Sequence, residues 1–134
     1  MIRNLGFLVA LLLSIFVFAI TAFADIRRQC EDKWGTNYQM VKFCIDQQRE
    51  AKAEIEHQPA SPEIQEMCED KWGTNYQMIK FCIGQQEDSK QMIEQGTSDP
   101  EIQEYCEGKW DTNYQMVKFC IEQQTKAKRE LQSY

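Results

Sequence analysis

One nineteen-residue cassette occurs three times in this chain, and its recurrence at a fixed interval limits the possible folds more than any other feature. The copies begin at Cys30, Cys68 and Cys106 and read CEDKWGTNYQMVKFCIDQQ, CEDKWGTNYQMIKFCIGQQ and CEGKWDTNYQMVKFCIEQQ. The period is 38 residues, and fifteen of the nineteen positions are identical throughout; the exceptions are Asp32, Gly35, Val41, Asp46 and their counterparts. Self-similarity at this period is the signature of a repeat architecture in which each copy is one supersecondary unit.

Residues 1–24 combine Arg3, an apolar run from Leu5 to Phe23 and the closing Ala22-Phe23-Ala24, the pattern of a cleavable secretory signal peptide. An uncleaved anchor is the competing reading, because the run approaches the ~20 apolar residues that cross a bilayer. No Cys follows the run directly, which argues against a lipid-anchored form. Asp25-Ile26-Arg27-Arg28-Gln29-Cys30 aligns with Glu63-Ile64-Gln65-Glu66-Met67-Cys68, so the first repeat begins where cleavage after Ala24 would leave the mature end. The expected division is a signal peptide over 1–24 and hairpin repeats over 25–58, 59–96 and 97–134. All 21 acidic residues and all but Arg3 of the 15 basic ones lie beyond residue 24, so the remaining 110 residues carry a net charge of −7. That charge, without a basic block, argues against nucleic acid and against anionic membrane surfaces.

The six Cys all lie in the exported part, two per repeat with thirteen residues between them. An even count in a small exported chain reads as a disulfide framework. Six cysteines permit 15 pairings; the repeat makes Cys30–Cys44, Cys68–Cys82 and Cys106–Cys120 the most economical.

Ser61-Pro62-Glu63 and Asp99-Pro100-Glu101 each offer an N-cap side chain, a Pro at the first helical position and a carboxylate in the first turn. A helix A is therefore expected over 62–72 and 100–110. Ile64, Met67, Cys68 and Trp72 fall on one of its faces, as do Ile102, Tyr105, Cys106 and Trp110. In the first copy Gln29 interrupts the stripe. Helix A should stop at Gly35 or Gly73 in a left-handed cap, with Asp111 managing the same turn at some cost. Thr36 and Gln39, with their copies, match the capping-box pattern, so a helix B is expected over about 37–56, 75–95 and 113–132. Its apolar residues cover more than half its circumference, so it needs covering by its own helix A and by the neighbouring repeat. The fold class expected is all-α: three tandem disulfide-stapled αα-hairpins stacked as a short α-solenoid-like array.

The helical rise supports the pairing. Cys68 lies about five residues before the turn and Cys82 about nine after it, so at about 1.5 Å per residue their heights agree within a turn of helix. A staple closing about fifteen residues contributes ~3 kcal/mol in the chain-entropy model.

Other chemistry is sparse. Redox-active cysteines would be expected close together with a device that lowers a thiol pKa. Thiolate metal sites want Cys or His clusters, and the single His, His57, sits in a linker. Trp34, Trp72 and Trp110, each followed six residues later by Met40, Met78 or Met116, could offer soft copper(I) ligands, although core packing of sulfur on rings is the simpler reading. Gln48, Gln86 and Gln124 fall inside the apolar arc of helix B. They are expected either to fix register through hydrogen bonds or to line a peptide groove. Lys33, Lys42 and their copies recur with Glu31, Asn37 and Gln47, either as a repeated binding face or as the residue of duplication. The candidate face comprises Gln48, Gln86, Gln124, Lys42, Lys80 and Lys118. No catalytic constellation is present, and no cofactor or metal is expected.

The string Cys-x3-Trp-x-Thr-x-Tyr-x-Met-x3-Cys-Ile-x-Gln-Gln resembles a helical segment of small exported bacterial proteins of unknown function. The resemblance covers the three cassettes, 57 of 134 residues. It implies a periplasmic or extracellular setting and no activity. The twin-Cys hairpins of mitochondrial intermembrane-space proteins are similar in principle, but their Cys-x9-Cys spacing differs. The function expected is a non-enzymatic secreted or periplasmic module that binds a protein or peptide, not embedded in a membrane once the signal is cleaved. The alternative is a soft-metal-binding or redox-responsive protein using the Cys pairs and Met residues.

Overall fold

The computed structural model describes residues 25–134; the signal-peptide expectation for residues 1–24 lies outside the described residues. Every regular element among them is helical. The order is α1 (25–34), α2 (Tyr38–His57), α3 (Pro62–Trp72), α4 (Tyr76–Gln95), α5 (Pro100–Trp110) and α6 (Tyr114–Leu131). The short helices α1, α3 and α5 are the expected A helices, and the long α2, α4 and α6 the B helices. Cys30–Cys44, Cys68–Cys82 and Cys106–Cys120 are bridged, with Cα–Cα distances of 5.8, 5.8 and 5.7 Å. The chain is thus three disulfide-stapled αα-hairpins. Closed bridges fit an oxidising, extracellular type of compartment.

The B helices pack side by side: α4 lies against α2 and α6 as well as its own α3. Its buried residues Ile79, Cys82, Gln86, Ser89 and Ile93 follow spacings of three and four, a single stripe facing helices on both sides. Three small cores result. Ile26, Cys30 and Val41 form the first, Ile64, Cys68, Ile79 and Cys82 the second, and Ile93, Cys106, Val117 and Cys120 the third. Tyr76 packs against both the first and the second, and Tyr114 against both the second and the third. Gln29, which breaks the apolar stripe, has its Oε1 buried without a hydrogen bond.

Four N-caps differ from expectation. The N-cap of each B helix is Asn37, Asn75 or Asn113, one residue after the Thr, and its side chain accepts from the N–H of Met40, Met78 or Met116 at 3.3, 3.4 and 3.3 Å. The Thr begins one residue too early because the preceding turn uses it: Asn75 N–H returns to Trp72 O at 3.0 Å, with Gly73 and Thr74 between them. Ser61 makes no side-chain cap; its N–H and hydroxyl both donate to Glu87 at 2.9 Å. Asp99 caps as expected, accepting from Glu101 N–H at 3.0 Å.

Gly35 and Gly73 have φ of 54° and 58°, and Gly73 has ψ of −110°. These angles belong to the first central position of a type II′ turn rather than to a left-handed helical cap, and that position is dominated by Gly. Asp111 holds the same conformation at φ 48°, ψ −120°, a strain of about 1–3 kcal/mol for a residue with a Cβ. Asp111→Gly should therefore raise the stability of the third hairpin by about 1 kcal/mol, and Gly73→Ala should lower that of the second by a similar amount. No atom lies within 4 Å of a Cβ built at Gly73, so its cost is conformational. Urea midpoints of the oxidised protein measure both shifts; a neutral Asp111→Gly contradicts the strain.

Candidate binding face

The repeated glutamines build the joints between hairpins. Gln48 Oε1 accepts from the backbone N–H of Gln77 at 3.3 Å, and its Nε2 donates to Asn75 Oδ1 at 3.0 Å and Gln77 Oε1 at 3.5 Å. Gln86 repeats this toward the third hairpin, with Gln115 N–H at 3.2 Å, Asn113 Oδ1 at 3.2 Å and Gln115 Oε1 at 3.3 Å. A helix start leaves its first N–H groups unpaired. Here the Asn satisfies one of them from within, and the glutamine of the preceding hairpin satisfies another from outside. Gln77 and Gln115, instead of closing a capping box, donate backwards to Gln47 and Gln85 at 3.3 Å.

Gln48 and Gln86 are 4% and 3% exposed and do not contribute to an open face; their amides are engaged between hairpins. Gln124 is exposed, with no other described hairpin packed against it. Lys42 pairs with Asp46 at 2.6 Å, Lys80 with Glu54 across α2 and α4, and Lys118 with Glu122 at 3.9 Å. Lys33, Lys71 and Lys109 lie over Trp34, Trp72 and Trp110, 5.3, 5.5 and 5.4 Å from the ring centroids. Much of the repeated polarity therefore has an internal partner.

What stays open is a row of phenylalanines. Phe43, Phe81 and Phe119 occupy one repeat position and are 58%, 61% and 53% exposed. Phe81 is two residues from buried Ile79, about 200° around the helix, so the two cannot share a core; this was the available signal in the sequence. Beside Phe81 runs a groove of about 550 Å³ between α2 and α4, lined by buried Ala51 and exposed Gly84 together with Lys80, Glu50, Glu54 and Asp88. The groove is lined mostly by polar residues, with Phe81 its one large apolar side chain, and its charged residues are net acidic.

All six cysteines are bridged, so thiolate ligation requires reduction. Among the described residues no three His, Cys, Asp or Glu side chains converge to hold a metal ion, and no helix is long and apolar enough to cross a membrane. No protein-family model, curated protein or solved structure matches the chain.

Two ion pairs fasten A helices to B helices: Lys90 with Glu63 at 3.1 Å and Lys128 with Asp99 at 2.5 Å. Glu63 is held below the ordinary carboxylate range by its own backbone N–H and then by Lys90. Asp99 is held low by Lys128 and then by the Glu101 N–H. Because both folded values lie below the unfolded ones, their contribution is complete above the unfolded carboxylate range and is lost as pH falls through the depressed values. Stability should decline below about pH 4, and the double variant Glu63→Gln with Asp99→Asn should flatten that acid limb in thermal melts. For the joints, Gln86→Ala should cost about 1–3 kcal/mol by leaving Gln115 N–H unmet. Gln124→Ala in dilute protein should stay within about 0.5 kcal/mol. Equal losses in urea titrations would remove the distinction.

Proposed function

We propose that the chain is a non-enzymatic, secreted or periplasmic interaction module whose phenylalanine row binds an apolar peptide or protein segment flanked by basic residues. The observation that carries this reading is the exposure of Phe43, Phe81 and Phe119 at the same position of all three hairpins, since apolar surface exposed beyond scattered single residues marks an interaction site. The rim of Glu50, Glu54 and Asp88 beside Phe81 supplies the charge that a basic flank would match. The three Phe sites sit on one chain at a fixed interval, so weak single contacts add by avidity. The three closed disulfides support the oxidising setting.

Selection of displayed random peptides on the immobilised, oxidised array should enrich sequences with an aromatic or aliphatic residue beside Lys or Arg. The triple variant Phe43→Ser, Phe81→Ser, Phe119→Ser should melt within about 1 kcal/mol of the parent, as exposed positions do, and should enrich none of them. Equal enrichment on parent and variant would count against the reading.

A further inference from the structure

The two ends of the array are the two halves of the joint that its interior makes twice. Tyr114, the first residue of α6, packs against the second core beside Ile64 and Met67. Lys90 Nζ stands 5.2 Å from its ring centroid, and Gln86 caps the helix that carries it. One repeat earlier Tyr76 packs on the first core, with Lys52 at 5.8 Å and Gln48 as the cap. In both joints a tyrosine opening one B helix seats in the groove of the preceding hairpin.

At the ends the pieces lie apart. Tyr38, which opens α2, is 76% exposed, and Asn37 and Gln39 beside it are exposed too. At the far end a groove of about 310 Å³ between α5 and α6 is lined by Ile102, Tyr105, Gln124, Lys128 and Leu131, among others. Each of these is the 38-residue counterpart of a residue at the Tyr114 joint: Ile64, Met67, Gln86, Lys90 and Ile93. The counterparts differ in what covers them. Ile93 is 8% exposed and Leu131 71%; Gln86 is buried and Gln124 open. Past Cys120, α6 contributes no buried residue, whereas α4 buries Gln86, Ser89 and Ile93 over the same length.

We propose that a second copy of this chain covers this groove, with Tyr38 of one copy seated among Ile102, Tyr105 and Leu131 of the next. Gln124 then caps the incoming α2 as Gln48 and Gln86 cap α4 and α6. Glu130, the counterpart of Glu54, meets Lys42 as Glu54 meets Lys80. The occupant is a copy of the chain because its head carries the residues this groove accepts inside the molecule: Asn, Tyr, Gln and Lys at fixed spacing. The contact is heterologous, so it leaves a head and a tail free after each addition and extends the array.

Sedimentation velocity on the oxidised protein tests this. The parent's weight-average mass should rise with concentration through multiples of one chain. Tyr38→Asp and Leu131→Asp change side chains outside all three cores, so each variant should keep the circular dichroism and melting midpoint of the dilute, monomeric parent while sedimenting as a single chain at every concentration. An equimolar mixture of the two retains one intact head and one intact tail, and its mass should stop at two chains. A parent that remains monomeric to about 1 mM overturns the proposal. Association that survives either single variant overturns it as well and points to symmetric pairing, for instance through the phenylalanine row.

Discussion

Each hairpin is closed by a covalent bond where a larger domain would have a core. The second and third cores contain four buried side chains apiece, and two of the four are the bridged cysteines. Hydrophobic burial on that scale does not offset the entropy of ordering about 38 residues. The bridge acts on the other side of the balance, by removing conformations from the unfolded chain. Because it spans the same two heights in every repeat, it also fixes how helix A lies on helix B, and so sets the position of Trp, Lys and Phe around each hairpin.

Between hairpins the coupling is of another kind. A single glutamine supplies one N–H acceptor to the next helix start and a donor to its Asn cap, and a tyrosine packs on the cores to either side of it. These hydrogen bonds are partly buried, and the glutamine amides at their centre are buried, where leaving a polar group unmet costs more than making the bond gains. The joint therefore specifies register sharply even though it is small. Nearest-neighbour coupling of similar units gives the thermodynamics of a one-dimensional array, with the middle hairpin held from both sides and the outer ones from one. Among the exposed large apolar residues, Tyr38, Tyr105 and Leu131 mark unmet joints, whereas Phe43, Phe81 and Phe119 recur in every hairpin and are left open even in the middle one; Met92 and Tyr134 belong to neither set.

The repeat, the helix bounds and the cysteine pairing were legible in the sequence because they rest on local rules: a fixed period, Pro at a helix start, Gly at a turn, and heights along a hairpin. The B-helix caps were misplaced by one residue. Thr74 and Asn75 are both good caps, and the competition was decided by the hydrogen bond from Asn75 N–H to Trp72 O, which pattern alone does not reveal. Helical projection put Gln86 in the apolar arc but could not say whether a helix or water would lie against it. That depends on contacts between residues 27 to 29 apart. The phenylalanines were missed for a related reason: an arc wider than half a helix was assigned wholly to burial, although one edge of it faces outward.

The disulfide pattern also bears on biosynthesis. Each bridge joins cysteines that are consecutive along the chain, fourteen residues apart. In a chain exported from its N-terminus, the partner of every odd cysteine is the next one to appear. Oxidation in order of emergence then yields the native set without reshuffling, which is otherwise slow. A hairpin can complete its bridge before the following one has been delivered, so the length of the array can change by whole repeats without creating a new pairing problem.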